Sequence, residues 1–398
     1  MLINFFFFSF LFIFVVNLKT LFFSFPIFYF FAPLGFLLFL KDILITKLVI
    51  KKQIIVFFSF LLLAVLANFI SYLTNQDGDF LYLRQVYLYI LISFFYAYFL
   101  IKLFFCMKNH SLDKLILFFL VVVATQLLVS FILFLNSSLF DLFFSFFDTA
   151  IGYTGVNTVD DFNEQRMIAI GNPFFGSAIV NCFSLIILAI QFKYTDYKKS
   201  YIVLWSIISI LGIASARTTI IGVLISFLVI LSGYRKSFKY IAGILILALV
   251  VFNFLYFTNE RVQTIIDFSF SFLFDFRNSQ ASDSTGELMQ MLNVLPNNVK
   301  TWLVGDNFFQ DGNGYYYKGI DIGYSRIIFA NGILGLIVFL LMHFYMFYQV
   351  KFDKKNLLNY LYMFMVVIAL NFKGVANFAS FIMVLFIYTV LYASKKKV

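Results

Sequence analysis

The sequence predicts an all-α fold: a polytopic transmembrane helical bundle of about twelve spans, with a long, partly helical loop on its outer side. Three observations predict it. First, 63% of the 398 residues are hydrophobic and 12% are charged, with a mean hydropathy of +0.96. A soluble domain carries roughly 25% charged residues, so this chain has too little charge to cover a water-facing surface. Second, the apolar residues fall in runs of about 20, the length that crosses a hydrocarbon core of about 30 Å. Third, the charges sit between the runs, and lysine-rich gaps alternate with gaps that together hold most of the acids and arginines.

Cutting the chain at its charge clusters places spans at 3–18, 21–40, 54–74, 85–105, 115–135, 173–192, 201–216, 218–233, 240–258, 323–348, 357–370 and 378–393. They form one membrane domain over 1–398. The N-terminal stretch lacks a basic leader region and a small-residue cleavage site, and reads as a retained first helix. The pairs 3–18/21–40 and 201–216/218–233 are separated only by short turns. In the second pair that turn is Ser215-Ala216-Arg217-Thr218.

With the N-terminus inside, the inner segments beginning at Lys41, Lys102, Lys193, Arg235, Lys351 and Lys395 hold 19 of the 29 Lys and Arg residues, against four acids. The positive-inside rule therefore puts both termini in the cytoplasm. The net charge of +10 is thus a matter of topology and does not imply a nucleic-acid partner. The two basic residue types separate as well. Eighteen of the 19 inner residues are lysine, whereas six of the ten outer ones are arginine: Arg84, Arg166, Arg217, Arg261, Arg277 and Arg326. Topology gives no reason for this. Arginine's planar fork pairs bidentately with phosphate or carboxylate, so an arginine-rich outer face suggests handling of an anion there. Pairing with the 15 outer acids is the plainer alternative for any one of them.

Two outer loops are long, 136–172 and 259–322, and long loops tend to carry function. The first holds Asp160-Asp161-Phe162-Asn163-Glu164-Gln165-Arg166 and leads through Gly171-Asn172-Pro173 into a helix. Its carboxylates beside an arginine suit deprotonation of a hydroxyl next to an anion, and equally suit a solvated acidic stretch. In the second, residues 265–276 read as an interfacial segment. Ser284-Thr285-Gly286-Glu287 has the spacing of a capping box that starts a helix ending at Pro296. Asp306 and Asp311-Gly312-Asn313-Gly314 belong to tight turns; the calcium-loop spacing is absent. The loop closes on Asp321-Ile322-Gly323-Tyr324-Ser325-Arg326, where Asp321 can cap the next helix. Gly332 and Gly335 then suit close helix packing. Neither the two cysteines, Cys106 and Cys182, nor the two histidines, His110 and His343, form a disulfide or metal framework. His343 reads as a core or interfacial residue. Acids and bases near helix centres, which coupled transporters use, are missing from the pattern.

Arg166 with Gly171-Asn172-Pro173, the Ser215-to-Thr218 hinge, and the loop ending in Asp321-to-Arg326 with Gly332-Ile333-Leu334-Gly335 together resemble the Wzy-type O-antigen and capsular polysaccharide polymerases, relatives of the O-antigen ligases. The resemblance covers most of residues 115–348. It implies a glycosyltransferase of the bacterial inner membrane that needs neither metal nor cofactor. Its substrate would be an undecaprenyl-pyrophosphate-linked oligosaccharide, transferred onto another lipid-linked repeat at the outer face. It also implies membrane lipid as surroundings, with a chain-length regulator and a flippase as partners. On that reading Arg166, Arg217 and Arg326 stabilise the leaving pyrophosphate, Glu164, Asp161 or Asp321 supplies a base, and Arg261, Arg277 and Tyr324 assist substrate binding. One departure stands out: an Arg-x15-Gly pattern described for some polymerases is absent from both loops, since Cys182 and Asn293 stand where the glycine would follow Arg166 and Arg277. The ligase alternative expects an outer-face histidine, and none lies there. A flippase or other polysaccharide transporter, the remaining alternative, expects a charged central cavity and short outer loops.

Overall fold

The computed structural model describes residues 2–23, 25–45, 51–108, 110–148, 167–192, 198–233, 256–274, 290–350 and 357–395. Among them, helices predominate, and the two strands are a two-residue antiparallel pair, β1 (Lys19–Thr20) with β2 (Phe147–Asp148). Five helical segments are long and apolar enough to cross a membrane: Ile27–Leu44, Lys52–Asn75, Leu83–Phe105, Leu112–Leu135 and Gly323–Gln349. Six shorter apolar helices accompany them. These eleven helical segments overlap eleven of the stretches expected to span, five of them with the length and apolarity that a crossing needs. The twelfth, 240–258, lies almost wholly outside the described residues, as do Asp161, Glu164, Arg166, Arg277 and the expected capping box at Ser284–Glu287.

The chain forms two compact units. The first, Met1–Phe28 with Asn109–Ser279, contains α1 (Leu2–Val16), α5 (Leu112–Leu135), α6 (Ser137–Phe144), α7 (Phe175–Gln191), α8 (Lys198–Ser215), α9 (Thr219–Gly233) and α10 (Glu260–Phe274). Polar caps set several of these starts. The Ser111 hydroxyl accepts from the Lys114 amide at 3.2 Å to open α5, and the Asn136 side chain accepts from Leu139 at 3.1 Å to open α6, so each satisfies an amide that has no helical partner. α7 packs on α9 and α8, and α1 on α5. The segment expected at 265–276 is the longer helix α10.

The second unit, Tyr29–Lys108 with Gln280–Val398, contains α2 (Ala32–Leu44), α3 (Lys52–Asn75), α4 (Tyr89–Phe105), α11 (Val299–Val304), α12 (Gly323–Gln349), α13 (Leu357–Leu370) and α14 (Ala379–Lys395). Pro33 lies in the first turn of α2, where its missing N–H costs nothing. α4 is preceded by a π-helical turn, Leu83–Leu88. The exposed apolar side chains of this unit include Leu62, Leu63 and Phe69 on α3 and Leu334 and Leu341 on α12.

α12 departs from the sequence expectation of a continuous helix. At Asn331 (φ −136°, ψ 16°) and Gly332 (φ 65°, ψ −169°) the helical backbone is interrupted. The loop that precedes α12 fills the gap. The Asp306 amide donates to the Phe329 carbonyl at 2.6 Å and the Asn307 amide to the Ala330 carbonyl at 3.2 Å, while the Ser71 hydroxyl also donates to Ala330 at 3.1 Å. Buried carbonyls released by the break are thereby satisfied. Gly332 thus serves a backbone turn and close approach of the loop, since a Cβ there would stand 2.2 Å from the Leu303 carbonyl oxygen. Gly335 faces its own Asn331 side chain, so neither glycine supports the simple helix-packing expectation.

Candidate functional site

In the second unit, the loop before α12 is built from local turns and then tied down at both ends. Asn298 caps α11 by accepting from the Thr301 amide at 2.7 Å. The Asp311 carboxylate accepts from the Asn313 and Tyr315 amides at 3.0 and 2.8 Å, closing the expected tight turn. Asp79, just after α3, fixes the middle of the loop: Oδ2 accepts from the Phe309 and Gln310 amides at 3.0 and 3.2 Å, and Oδ1 from Leu81 at 2.9 Å.

Ile320 and Ile322 are both buried against Phe329, with Met291, Tyr317 and Tyr324 around them. Their backbone is extended, and side chains alternate along extended backbone. Asp321, between them, is therefore turned away from that apolar cluster and toward Arg326. Its Oδ1 lies 3.9 Å from an Arg326 Nη. The guanidinium is held between two rings, its Cζ 4.0 Å from the centroids of both Phe309 and Tyr316. Only 9% of the Arg326 side chain is exposed. Contacts of this kind are worth about 0.5–2 kcal/mol each as burial increases, and they fix the plane of the cation. Tyr82, itself buried, packs its ring 5.3 Å from Phe309 and supports the clamp from behind.

Burial pushes the Asp321 carboxyl above its ordinary value, although Arg326 and Lys373 both pull it down. Desolvation disfavours the charged form, and here it outweighs the two cations. Nearby, Asp306 accepts from the Thr301 and Tyr317 hydroxyls at 2.5 and 3.3 Å and pairs with Lys318 at 3.4 Å. Burial first, and the Asp306 charge second, push the Tyr317 phenol up to about 12, so it remains a donor at neutral pH.

Of the other expected site residues, Tyr324 donates to the Ile368 carbonyl at 2.7 Å and stacks edge-on with Phe372, joining the start of α12 to the end of α13. In the first unit, Arg217 occupies the three-residue turn Ala216–Thr218 between α8 and α9 and is partly exposed. Beneath that turn is a buried polar knot. The Ser177 and Ser215 hydroxyls are 2.8 Å apart, Asn181 donates to Ser177 at 3.0 Å, and Thr219 donates to the Gly212 carbonyl at 3.0 Å. Arg261 donates to the Phe134 carbonyl at 2.5 Å, satisfying an orphan carbonyl at the end of α5. The segment after Arg166 is held firmly. Met167 to Ile170 are buried, the Ile170 amide donates to the Ser130 hydroxyl at 3.0 Å, and Asn172 donates to the Val15 carbonyl at 2.9 Å.

His343 is fully buried. Its Nδ1 lies 2.9 Å from the Phe339 carbonyl and its Nε2 accepts from the Phe378 amide at 3.3 Å, so both ring nitrogens are used within the core. The sequence marks Asp321 as a cap of α12 and Arg326 as a residue of its first two turns; Arg326 lies there, but the N-cap is Ile322 with no side-chain cap hydrogen bond, and Asp321 faces Arg326 instead. Phe309, Tyr316, Asp79 and Lys373 were not legible in the sequence. The Asp77-Gly78-Asp79 turn was the available signal for Asp79, but its partner lies 230 positions away.

Among described residues, no group of three or more histidine, cysteine or acidic side chains is arranged to hold a metal ion. Compared with protein-family models, curated proteins and solved structures, the chain matches none.

Proposed function

We propose that this chain is a Wzy-type polysaccharide polymerase: a glycosyltransferase of the bacterial inner membrane that joins undecaprenyl-pyrophosphate-linked oligosaccharides at the outer face, with both termini cytoplasmic. The observation that carries the reading is the ring-clamped Arg326 beside Asp321, whose affinity for its proton is raised. The pair unites an anion holder with a base on the loop that the sequence marks as outer.

In the proposed reaction, the terminal sugar hydroxyl of the acceptor attacks the anomeric carbon of the donor. A new C–O bond forms as the bond from that carbon to the pyrophosphate oxygen breaks, and undecaprenyl pyrophosphate leaves with the electron pair. The hydroxyl proton passes to Asp321. Arg326 steadies the charge developing on the leaving phosphate, a fixed electrostatic contribution of about 3–4 kcal/mol in comparable sites. A carboxylate with an elevated pKa is the better proton acceptor at neutral pH. Arg217 and Arg166 are assigned the same anion-holding chemistry by the family resemblance.

A ligase would require another base, because His343 is committed to the core and His110 falls on the lysine-rich side. A strain lacking this protein should display a single repeat unit on its lipid acceptor. Loss of all repeats would instead point to a transporter and overturn the reading. Arg326→Ala, Arg217→Ala and Arg166→Ala should each shorten or abolish polymer at unchanged protein abundance; normal chain lengths from any one would remove that residue from the chemistry.

A further inference from the structure

The Asp321–Arg326 pair has a third charged neighbour on a separate element. Residues 371–377 form the turn between α13 and α14, and this turn is docked on the start of α12. The Tyr324 amide donates to the Asn371 carbonyl at 3.2 Å, and a Cβ on Gly323 would stand 2.3 Å from the Gly374 carbonyl oxygen. Tyr324 packs on Phe372 from the same side, and the Asn371 side chain stiffens the turn by accepting from the Ala376 amide at 3.2 Å. Lys373 lies between those two anchoring residues, partly buried, and its charge acts on Asp321.

Among the described residues, Lys373 makes no ion pair; the pairs are Lys102–Asp42, Lys318–Asp306 and Arg326–Asp321. Two cations therefore share one carboxylate, and the cluster carries a net positive charge. One carboxylate balances only one of the two cations, and an incoming anion would balance the other.

We infer that Lys373 and Arg326 together form a site for a phosphate or diphosphate group, with Asp321 as their shared internal counter-ion when the site is empty. The inference rests on the proposed reaction for its biological ligand and adds a residue from outside the loop to its anion holder. Arg326 supplies a fixed, planar donor, and Lys373 a point charge that follows the ligand.

The test is calorimetric titration of the full-length protein in nanodiscs with inorganic pyrophosphate and, separately, with a polyprenyl diphosphate. Lys373→Gln should weaken pyrophosphate binding about tenfold or more, the loss of one charge-assisted hydrogen bond. Lys373→Arg should stay within about threefold of the parent. Tighter binding of the polyprenyl diphosphate supports the site and identifies a lipid carrier; equal affinities support it with a free diphosphate as ligand. Wild-type affinity in Lys373→Gln, together with loss in Arg326→Gln, would overturn the inference while leaving the role of Arg326 intact. No binding of either probe by the parent protein would overturn both.

Discussion

Two aromatic rings fix one guanidinium beside one carboxylate, and the consequences at the scale of single residues separate function from stability. Lysine in place of Arg326 keeps the charge but loses the planar donor fork and its stacking on Phe309 and Tyr316. Arg326→Lys is expected to lower polymerisation by about 10²–10³-fold, measured with lipid-linked repeats in isolated membranes, with folding retained. Asp321 gives the opposite stability signature from a salt-bridged acid. Because its carboxyl is raised in the fold, the folded chain still holds a proton that the unfolded chain has released, between the ordinary value and the raised one. Stability therefore falls as pH rises through that window and stays at its lower level above it. Asp321→Asn should consequently melt no lower than the parent at pH 8 by intrinsic fluorescence, while losing the limb of activity that rises with pH. A melting point several degrees lower would show that the carboxylate stabilises the fold.

The element that decides the site's position is the broken helix α12, where the sequence was only partly informative. Its apolar run continues on both sides of Asn331-Gly332, so hydropathy reads it as one span. An Asn-Gly pair is nevertheless a turn signal, and it marks the place where the structure breaks. From sequence the glycine suits helix packing, because nothing local announces that residues 303–307 will seat against it. Asn68 illustrates the same limit: its amide donates to Asn331 at 3.0 Å and to Asn307 at 3.3 Å, partners more than 230 positions away. The element consequence can be measured. Gly332→Ala forces a Cβ into positive φ and against the Leu303 carbonyl, a backbone cost of about 1–3 kcal/mol before any clash. It should lower thermal stability and open the 305–320 segment to protease, while helical content by circular dichroism changes little. An unchanged proteolysis pattern would mean that the loop does not depend on the break.

At the scale of the whole molecule, the legible feature was the collection of charge between the apolar runs, and within the second unit the described charges gather at two ends of one helix packet. At one end Lys102 and the Tyr98 hydroxyl meet Asp42, and Lys51 donates to the Val390 carbonyl. At the other, Asp79, the Asp306–Lys318 pair, Asp321, Arg326 and Lys373 gather around the start of α12. Alternating hydropathy made the helices readable, because each needs only its own composition. The ends were readable only as charge counts, since the pairings depend on which helices become neighbours. The proposed orientation makes the Lys102 end cytoplasmic and the Arg326 end external, and the native cysteines provide a direct test. Cys106 is exposed and directly follows α4, at the Lys102 end; Cys182 is buried. A membrane-impermeant maleimide applied to intact spheroplasts should therefore leave the parent protein unlabelled and modify Cys106 once the membrane is opened. Asn313 is exposed in the turn closed by Asp311, so Asn313→Cys should be labelled in intact spheroplasts without permeabilisation. The reverse pattern would place Asp321 and Arg326 in the cytoplasm, where the proposed lipid-linked acceptor chain would not reach them.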